Sequence, residues 1–225
     1  MMKLHFHPLS PASQPVLLFC ADAGIAFEPV VVDIMTGEHH QERFIALNPN
    51  ALVPVLEDGD FVLTESAAIL RYLADAVDSH LYPKDLKARA RVNERMDWFN
   101  SNLYRELGYH LVYPQLFPHH ARAPEVAQAA TIAWGREKAE RMLGVLDRHL
   151  IGQSDYLTGD ELSIADYFGS PILAVGELVG MKLDRFPNVD RWMTSLRSRP
   201  TWRKIHEPSG ALAASLATKT FVSIN

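Results

Sequence analysis

The sequence predicts an α/β module over residues 1–78, a linker over 79–86 and an all-helical module over 87–225. Three observations carry this. The pair Asp58-Gly59 splits two short apolar runs, Leu52 to Leu56 and Phe61 to Leu63, which is a strong hairpin signal. Ahead of it, strand and helix patterns alternate in the order that makes a βαβ unit. From about Asp85 onward the strand signals nearly vanish, and long stretches rich in Ala, Glu, Lys and Arg replace them.

Each element follows from local chemistry. Lys3 to Phe6 reads as a strand that His7-Pro8 ends. Pro15 to Gly24 reads as a helix: Val16 to Cys20 supply apolar residues and Gly24 is a stop signal. The valine-rich run Phe27 to Ile34 reads as a buried strand. Glu38 to Leu47 reads as a short helix or an irregular segment. After the hairpin comes a helix from about Ser66 to Val77, with Ile69, Leu73 and Val77 spaced by four and Leu70 and Ala74 beside them. The order βαβ, connector, ββα is the thioredoxin-like layout. In the second module the patterns predict helices over 86–112, 125–150, 163–179, 188–198 and 200–206. Gly210 to Asn225 is weakly patterned and reads as a tail packed over that module. Ser163 to Asp166 has the form of a capping box, a folding signal rather than a chemical one.

Composition narrows the function. With 22 Lys and Arg against 27 Asp and Glu, the net charge of −5 argues against a protein that binds nucleic acid through phosphates. The single cysteine, Cys20, allows no internal disulfide and fits a reducing, cytoplasmic setting. It lies in the apolar stretch of the first helix and reads as core. No apolar run is long enough to span a membrane, and Met1 to Phe19 lacks the continuous apolar stretch of a signal peptide. His5 with His7, and His119 with His120, lack third and fourth ligands at metal-site spacing, so no metal is expected.

The residues that can carry chemistry cluster at two helix starts. Ser10-Pro11-Ala12-Ser13-Gln14-Pro15 lies between the first strand and the first helix. Unpaired N–H groups and the positive end of the helix dipole favour an anion there, and a serine hydroxyl can donate to it. Val53-Pro54, the hairpin and Glu65-Ser66 make a second such place, suited to a peptide-like anion.

The stretch Asn48 to Leu73, with Val53-Pro54 and Glu65-Ser66, resembles the cytosolic glutathione transferases. Ser13-Gln14-Pro15 is similar to the theta class and related bacterial theta-like transferases, and Ser163 to Asp166 is similar to the family's capping box. The resemblance covers nearly the whole chain to about residue 208. It departs at Val16-Leu17, where those relatives often carry Cys-Arg. The resemblance implies glutathione as substrate, Ser13 as the catalytic donor to its thiolate, and Ser10 as the rival donor in the same loop. It implies glutathione contacts from Ser13, Gln14, Val53, Pro54, Glu65 and Ser66. Leu52 stands where relatives can carry a lysine for the glycyl carboxylate, and His40 is taken for that task, with His39 and Gln41 as alternatives.

The helical module is expected to hold a hydrophobic electrophile. Trp98 to Phe117 is an aromatic-rich run in which Arg105, Tyr109 and His110 are the unusual polar members. Ser10, Arg105, Tyr109, His110 and Tyr113 are the candidate second-substrate contacts. The resemblance also implies a homodimer, lined by the helix after Ser66 and the long helix near Arg91 to Trp98. Two other readings use the same residues: a glutathione-dependent disulfide or peroxide reductase, and a non-catalytic scaffold module.

Overall fold

The structure is a computed structural model that describes residues 1–225. Four strands form one mixed sheet in the order β2-β1-β3-β4: β1 Lys3–Phe6, β2 Glu28–Val31, β3 Val55–Asp58 and β4 Phe61–Thr64. β1 pairs parallel with β2 and antiparallel with β3, and β3 pairs antiparallel with β4. The parallel pair is joined by α1, Gln14–Ala23, which opens with Pro15 and stops at Gly24, whose φ of 67° is left-handed. α2 is the short helix Glu42–Ile45 and α3 is Ser66–Ala76.

Four expectations for this module need correction. The strand read over Phe27 to Ile34 is only Glu28–Val31, and it is an edge strand with Val31 55% exposed. A run of valines signals a strand but not which side of a sheet it occupies. The hairpin turn is centred one residue later than Asp58-Gly59, because Asp58 pairs with Phe61 across a Gly59-Asp60 turn. The first hairpin strand starts only after the cis Val53-Pro54 bond, not at Leu52. In α3 the buried stripe is Ile69, Leu70, Leu73 and Ala74, whereas Val77 lies beyond the helix end and is exposed.

The helical region opens at α4, Leu86–Trp98, whose N-terminus is capped by Asp85 accepting from the N–H groups of Lys87 and Ala88. The helix continues through wide π-type turns over Phe99–Leu103 and Arg105–Val112 into α5, Tyr113–Leu116. α6 is Glu125–Val145, α7 Ile164–Ala174, α8 Pro187–Arg197 and α9 Pro200–Leu216. The capping box at α7 is formed: Asp166, wholly buried, accepts from the N–H and hydroxyl of Ser163, from the Leu157 N–H and from the Trp192 indole. No helix is long and apolar enough to cross a membrane.

α9 corrects the reading of the C-terminus. The helix runs ten residues past 206, through Pro208 and Gly210, and only the segment after Leu216 is irregular. Proline and glycine both lower helix propensity, and packing overrides them here. The final segment folds back, with Ile224 buried and its carbonyl accepting from the Lys182 N–H.

α1 is the joint between the two parts. One apolar core runs from Leu4 and Phe19 in the sheet half to Phe168 and Trp192 among the helices. The rings of Phe19 and Tyr167 meet edge-on at 5.9 Å, and the Tyr167 hydroxyl donates to Asp22 at 2.6 Å. Both parts therefore contribute fixed walls to the cleft that opens between them.

Candidate active site

A cleft of about 830 Å³ lies between the sheet half and the helical half. Its sheet-side wall comes from the β1–α1 loop, the segment before β3 and the start of α3. Ser10, Gln14, Val53, Pro54, Glu65 and Ser66 all line it. Residues more than fifty positions apart in sequence are thus brought to one surface.

Ser13 does not line this cleft. It is fully buried, its backbone is already helical, and its hydroxyl oxygen accepts from the His7 N–H at 3.4 Å. The expectation that Ser13 is the donor is corrected: its side chain points into the protein, where a ligand sulfur cannot reach. Ser10 lines the cleft instead, and its hydroxyl oxygen accepts from the Ser13 N–H at 3.2 Å. Accepting that bond fixes the hydroxyl while leaving its hydrogen free to donate. Gln14 spends its amide nitrogen on the Pro8 carbonyl at 2.9 Å and on the Ser209 hydroxyl at 2.7 Å. It straps α1 to α9 and keeps only its amide oxygen for a ligand.

Glu65 has φ 67° and ψ 111°, a strained conformation for a residue with a side chain. Strain of this kind costs on the order of 1–3 kcal/mol and persists where a site needs the geometry. It precedes α3, whose first turn carries no acidic side chain to neutralise its N–H groups. Ser66 sits at that turn, 9% exposed. The result is a carboxylate beside an anion-favouring helix start, suited to a ligand bearing both an ammonium and a carboxylate.

His40 is exposed and does not line the cleft, so that expectation also falls; its neighbour His39 does line it. The two rings lie 3.9 Å apart between centroids, with His39 innermost. Nδ1 of His39 is buried without a partner. Burial, helped by the nearby His40, His119 and His7, pulls the His39 pKa below its ordinary value.

The opposite wall is helical. Tyr104, Arg105, Tyr109 and Tyr113 line it from the long helix, and Phe117, His119 and His120 from the segment after α5. Arg105 is tied at Nε to Glu106 at 2.9 Å. Burial opposes the charge on Glu106, but hydrogen bonds from His110 and Arg105 outweigh it and hold the carboxyl below its ordinary range. His110 is placed elsewhere: Nδ1 bonds to Glu106 at 2.8 Å, the residue packs against α6 at Gly135, and it does not line the cleft. Successive helical residues point about 100° apart, so Tyr109 and His110 cannot share one face. The expectation for His110 is therefore corrected.

Sequence reasoning missed three contributors. Tyr104 was seen only as part of an aromatic run. His39 was passed over for its neighbour. α9 brings Trp202, His206 and Ser209 to the wall, where the sequence showed only a weak pattern. His206 stacks on Trp202 at 3.6 Å, and burial lowers its pKa to about 4. Cys20 is buried, and burial pushes its thiol up to about 12, so it is not a reactive group.

A thioredoxin-like half with a strained acidic residue before α3, facing an aromatic helical half, defines a protein built to hold a small peptide-like thiol beside an apolar partner. Comparison with known proteins makes this specific. The family model described as glutathione S-transferase, N-terminal domain, matches residues 1–75, and that for the C-terminal domain matches residues 111–200. Glutathione S-transferase theta-1 of Homo sapiens is 36% identical over 182 residues, covering 79% of this chain and 72% of that protein. Glutathione S-transferase D6 of Drosophila melanogaster is 31% identical over 204 residues, covering 89% of this chain and 90% of that protein. Among solved structures, human glutathione transferase theta-2 in complex with glutathione and an unknown ligand superposes with a TM-score of 0.85 at 26% identity, over 100% of this chain and 94% of that one. A delta-class glutathione transferase of Nilaparvata lugens gives 0.83 at 30% identity, over 98% and 100% of the two chains. The chain belongs to the glutathione S-transferase family.

Proposed function

We propose that this enzyme conjugates glutathione to a hydrophobic electrophile, with Ser10 as the donor to the glutathione sulfur. The observation that carries this is the convergence on one cleft of Ser10, Val53-Pro54 and the strained Glu65-Ser66 pair. In this reading Glu65 takes the ammonium and Ser66 the carboxylate of the γ-glutamyl end. Val53 offers its main chain to the cysteinyl part, and His39 faces the glycyl carboxylate. The sulfur then sits at the start of α1.

The chemistry asked of the site is modest. A free thiol has a pKa near about 8.5, so only a few per cent is ionised at neutral pH. Each unit of depression needs about 1.4 kcal/mol of preferential thiolate stabilisation. A hydrogen bond to a charged acceptor together with a helix N-terminus supplies that much. The thiolate attacks an electrophile held against the aromatic wall, where exclusion of water keeps sulfur reactive. The chain's single cysteine is buried, which speaks against a thiol–disulfide relay of its own.

The test is the ultraviolet absorbance of bound glutathione thiolate against pH. Ser10→Ala is expected to raise the apparent thiol pKa by about one unit while affinity changes little. An unshifted curve sinks the role of Ser10. We also place the enzyme in the cytoplasm and read it as a homodimer, paired through α3 and α4, where Phe61 beside α3 and Leu86 on α4 are exposed. Sedimentation is expected to give twice the 25.3 kDa chain mass; a monomer at micromolar concentration overturns the pairing.

A further inference from the structure

Gln14 closes the loop that carries Ser10. Within that loop the Ser10 N–H donates to the His7 carbonyl at 3.0 Å. The Ser10 carbonyl accepts from the N–H groups of Ser13 and Gln14 at 2.9 and 3.0 Å. The Gln14 side chain then reaches back across the turn to the Pro8 carbonyl at 2.9 Å. Ser10 is thus held inside a ring of hydrogen bonds whose clasp is one amide, on a residue only 2% exposed.

The clasp is completed from the far end of the chain. An amide nitrogen carries two hydrogens, and the second one here goes to the Ser209 hydroxyl on α9 at 2.7 Å. With both hydrogens placed, the amide has one orientation. Without the Ser209 hydroxyl, one buried N–H has no acceptor, and rotating the amide to find another gives up the bond to Pro8.

α9 meets α1 at two places. Arg199, just before α9, bonds Asp22 near the end of α1 at 2.6 Å. At 1.5 Å per residue, Gln14 and Asp22 are about 12 Å apart along α1, and Arg199 and Ser209 about 15 Å apart along α9. The two helices therefore run antiparallel and are tied at both ends. The tie at Asp22 lies away from the cleft, whereas Gln14 and Ser209 line it. Ser209 also follows Pro208, which has no N–H for the helix ladder, so the bond to Gln14 supports α9 where it is weakest.

We propose that Ser209 is a positioning residue for thiol activation: acting through Gln14, it sets the Ser10 hydroxyl at the glutathione sulfur. The inference rests on the reading of Ser10 above. Ser209 touches neither the sulfur nor the electrophile. A hydrogen bond to a thiolate weakens steeply as its angle opens, so a loosened loop gives the thiolate less stabilisation. The strap itself holds no titratable group: it consists of an amide, a carbonyl and a hydroxyl. Its neighbour His206, with a pKa lowered by burial to about 4, is neutral near pH 7. Arg203 and Glu207, the charged groups that α9 brings to the cleft, stay the same in every variant tested.

The test follows the ultraviolet absorbance of bound glutathione thiolate against pH in Ser209→Ala, Ser209→Thr, Arg199→Gln and Ser10→Ala. Ser209→Ala is expected to raise the apparent thiol pKa by about half a unit, a threefold fall in the thiolate fraction, with calorimetric affinity for glutathione within about twofold. Ser209→Thr keeps the hydroxyl and should titrate as the wild type does. Arg199→Gln loosens α9 at its other tie; it should lower the thermal midpoint and leave the titration in place. Ser209→Ala added to Ser10→Ala should shift the curve no further, because its effect passes through Ser10. A curve unmoved by Ser209→Ala, while Ser10→Ala moves it, overturns the role of Ser209 alone. So does a shift equally large in Ser209→Thr or Arg199→Gln, which would make it general loosening of α9. A curve unmoved by Ser10→Ala overturns the reading of Ser10 itself.

Discussion

The two halves of the cleft are built on different principles. The sheet half is defined by backbone: the cis Val53-Pro54 bond at the cleft, the strained turn at Glu65 and two helix starts at α1 and α3. Its residues come from short segments whose spacing is fixed by the sheet. The helical half is defined by side chains from the long helix, the segment after α5, α7 and α9. A backbone-built half holds one ligand chemistry, because main-chain donors cannot be exchanged by substitution. A side-chain-built half is free to change with each residue. The constant substrate and the variable one therefore meet at Ser10.

Glu65→Ala breaks this contrast most severely. It removes the one charged side chain that we assign to the glutathione ammonium in the sheet half. A charge-assisted bond of this kind is worth about 1.5–3 kcal/mol, so affinity should fall by more than about tenfold. Calorimetry that shows unchanged affinity would mean the γ-glutamyl end lies elsewhere. A large loss on the sheet side, set beside retained glutathione affinity in Tyr109→Phe on the helical wall, would show the two halves to be separable.

The two serines sharpen the sheet half further. Ser10→Ala should move the thiol titration by about one unit, a tenfold effect. Ser13→Ala should leave that titration in place and instead lower the thermal midpoint slightly, since its hydroxyl makes one long bond to His7. Net bonds of this sort contribute roughly 0.5–1.5 kcal/mol. A titration shifted by Ser13→Ala and not by Ser10→Ala would restore Ser13 as the donor.

The difference between the halves also explains what the sequence could reveal. The strand β1, helix α1, the hairpin and the start of α3 were legible because their signals are local: Asp58-Gly59, Pro15, Gly24 and the spacing of Ile69 and Leu73. The pairing of sheet and helical halves was legible from the loss of strand signals after Asp85. Burial was not, because it depends on neighbours. Val31 looks like core and lies on an edge strand, while Ser13 looks exposed and is sealed by the β1–α1 loop. Choosing between adjacent residues failed for the same reason at His39 and His40, and at Tyr109 and His110. One residue of offset turns a side chain from the cleft to solvent or to a neighbouring helix. α9 was invisible past residue 206 because Pro208 and Gly210 argue locally against the helix that tertiary packing maintains.

The smallest effect is expected at His39, a sheet-side contact made by a partly exposed side chain. His39 lies against the proposed position of the glycyl carboxylate, and its pKa is lowered by burial and by the charges of His40, His119 and His7. In the free enzyme the ring is neutral at pH 7. A bound carboxylate favours the imidazolium, so the ring's pKa is higher in the complex than in the free enzyme. The sign follows: affinity rises as pH falls through the bound-state value and stops rising below the free-state value. That free-state value lies under the ordinary imidazole figure of about 6.5, so the window is mildly acidic. A glutathione thiol whose pKa the site depresses gives a slope of the opposite sign, so the ring's share is the difference between the wild type and His39→Gln. The ring is partly exposed, which limits the gain to about twofold to fivefold, typical of a screened ion pair. Glutathione titrations from about pH 7 to about pH 5 should show this gain in the wild type and lose it in His39→Gln. If the slope survives that substitution, the carboxylate is held by another group, and the sheet half is more completely a backbone site than His39 makes it.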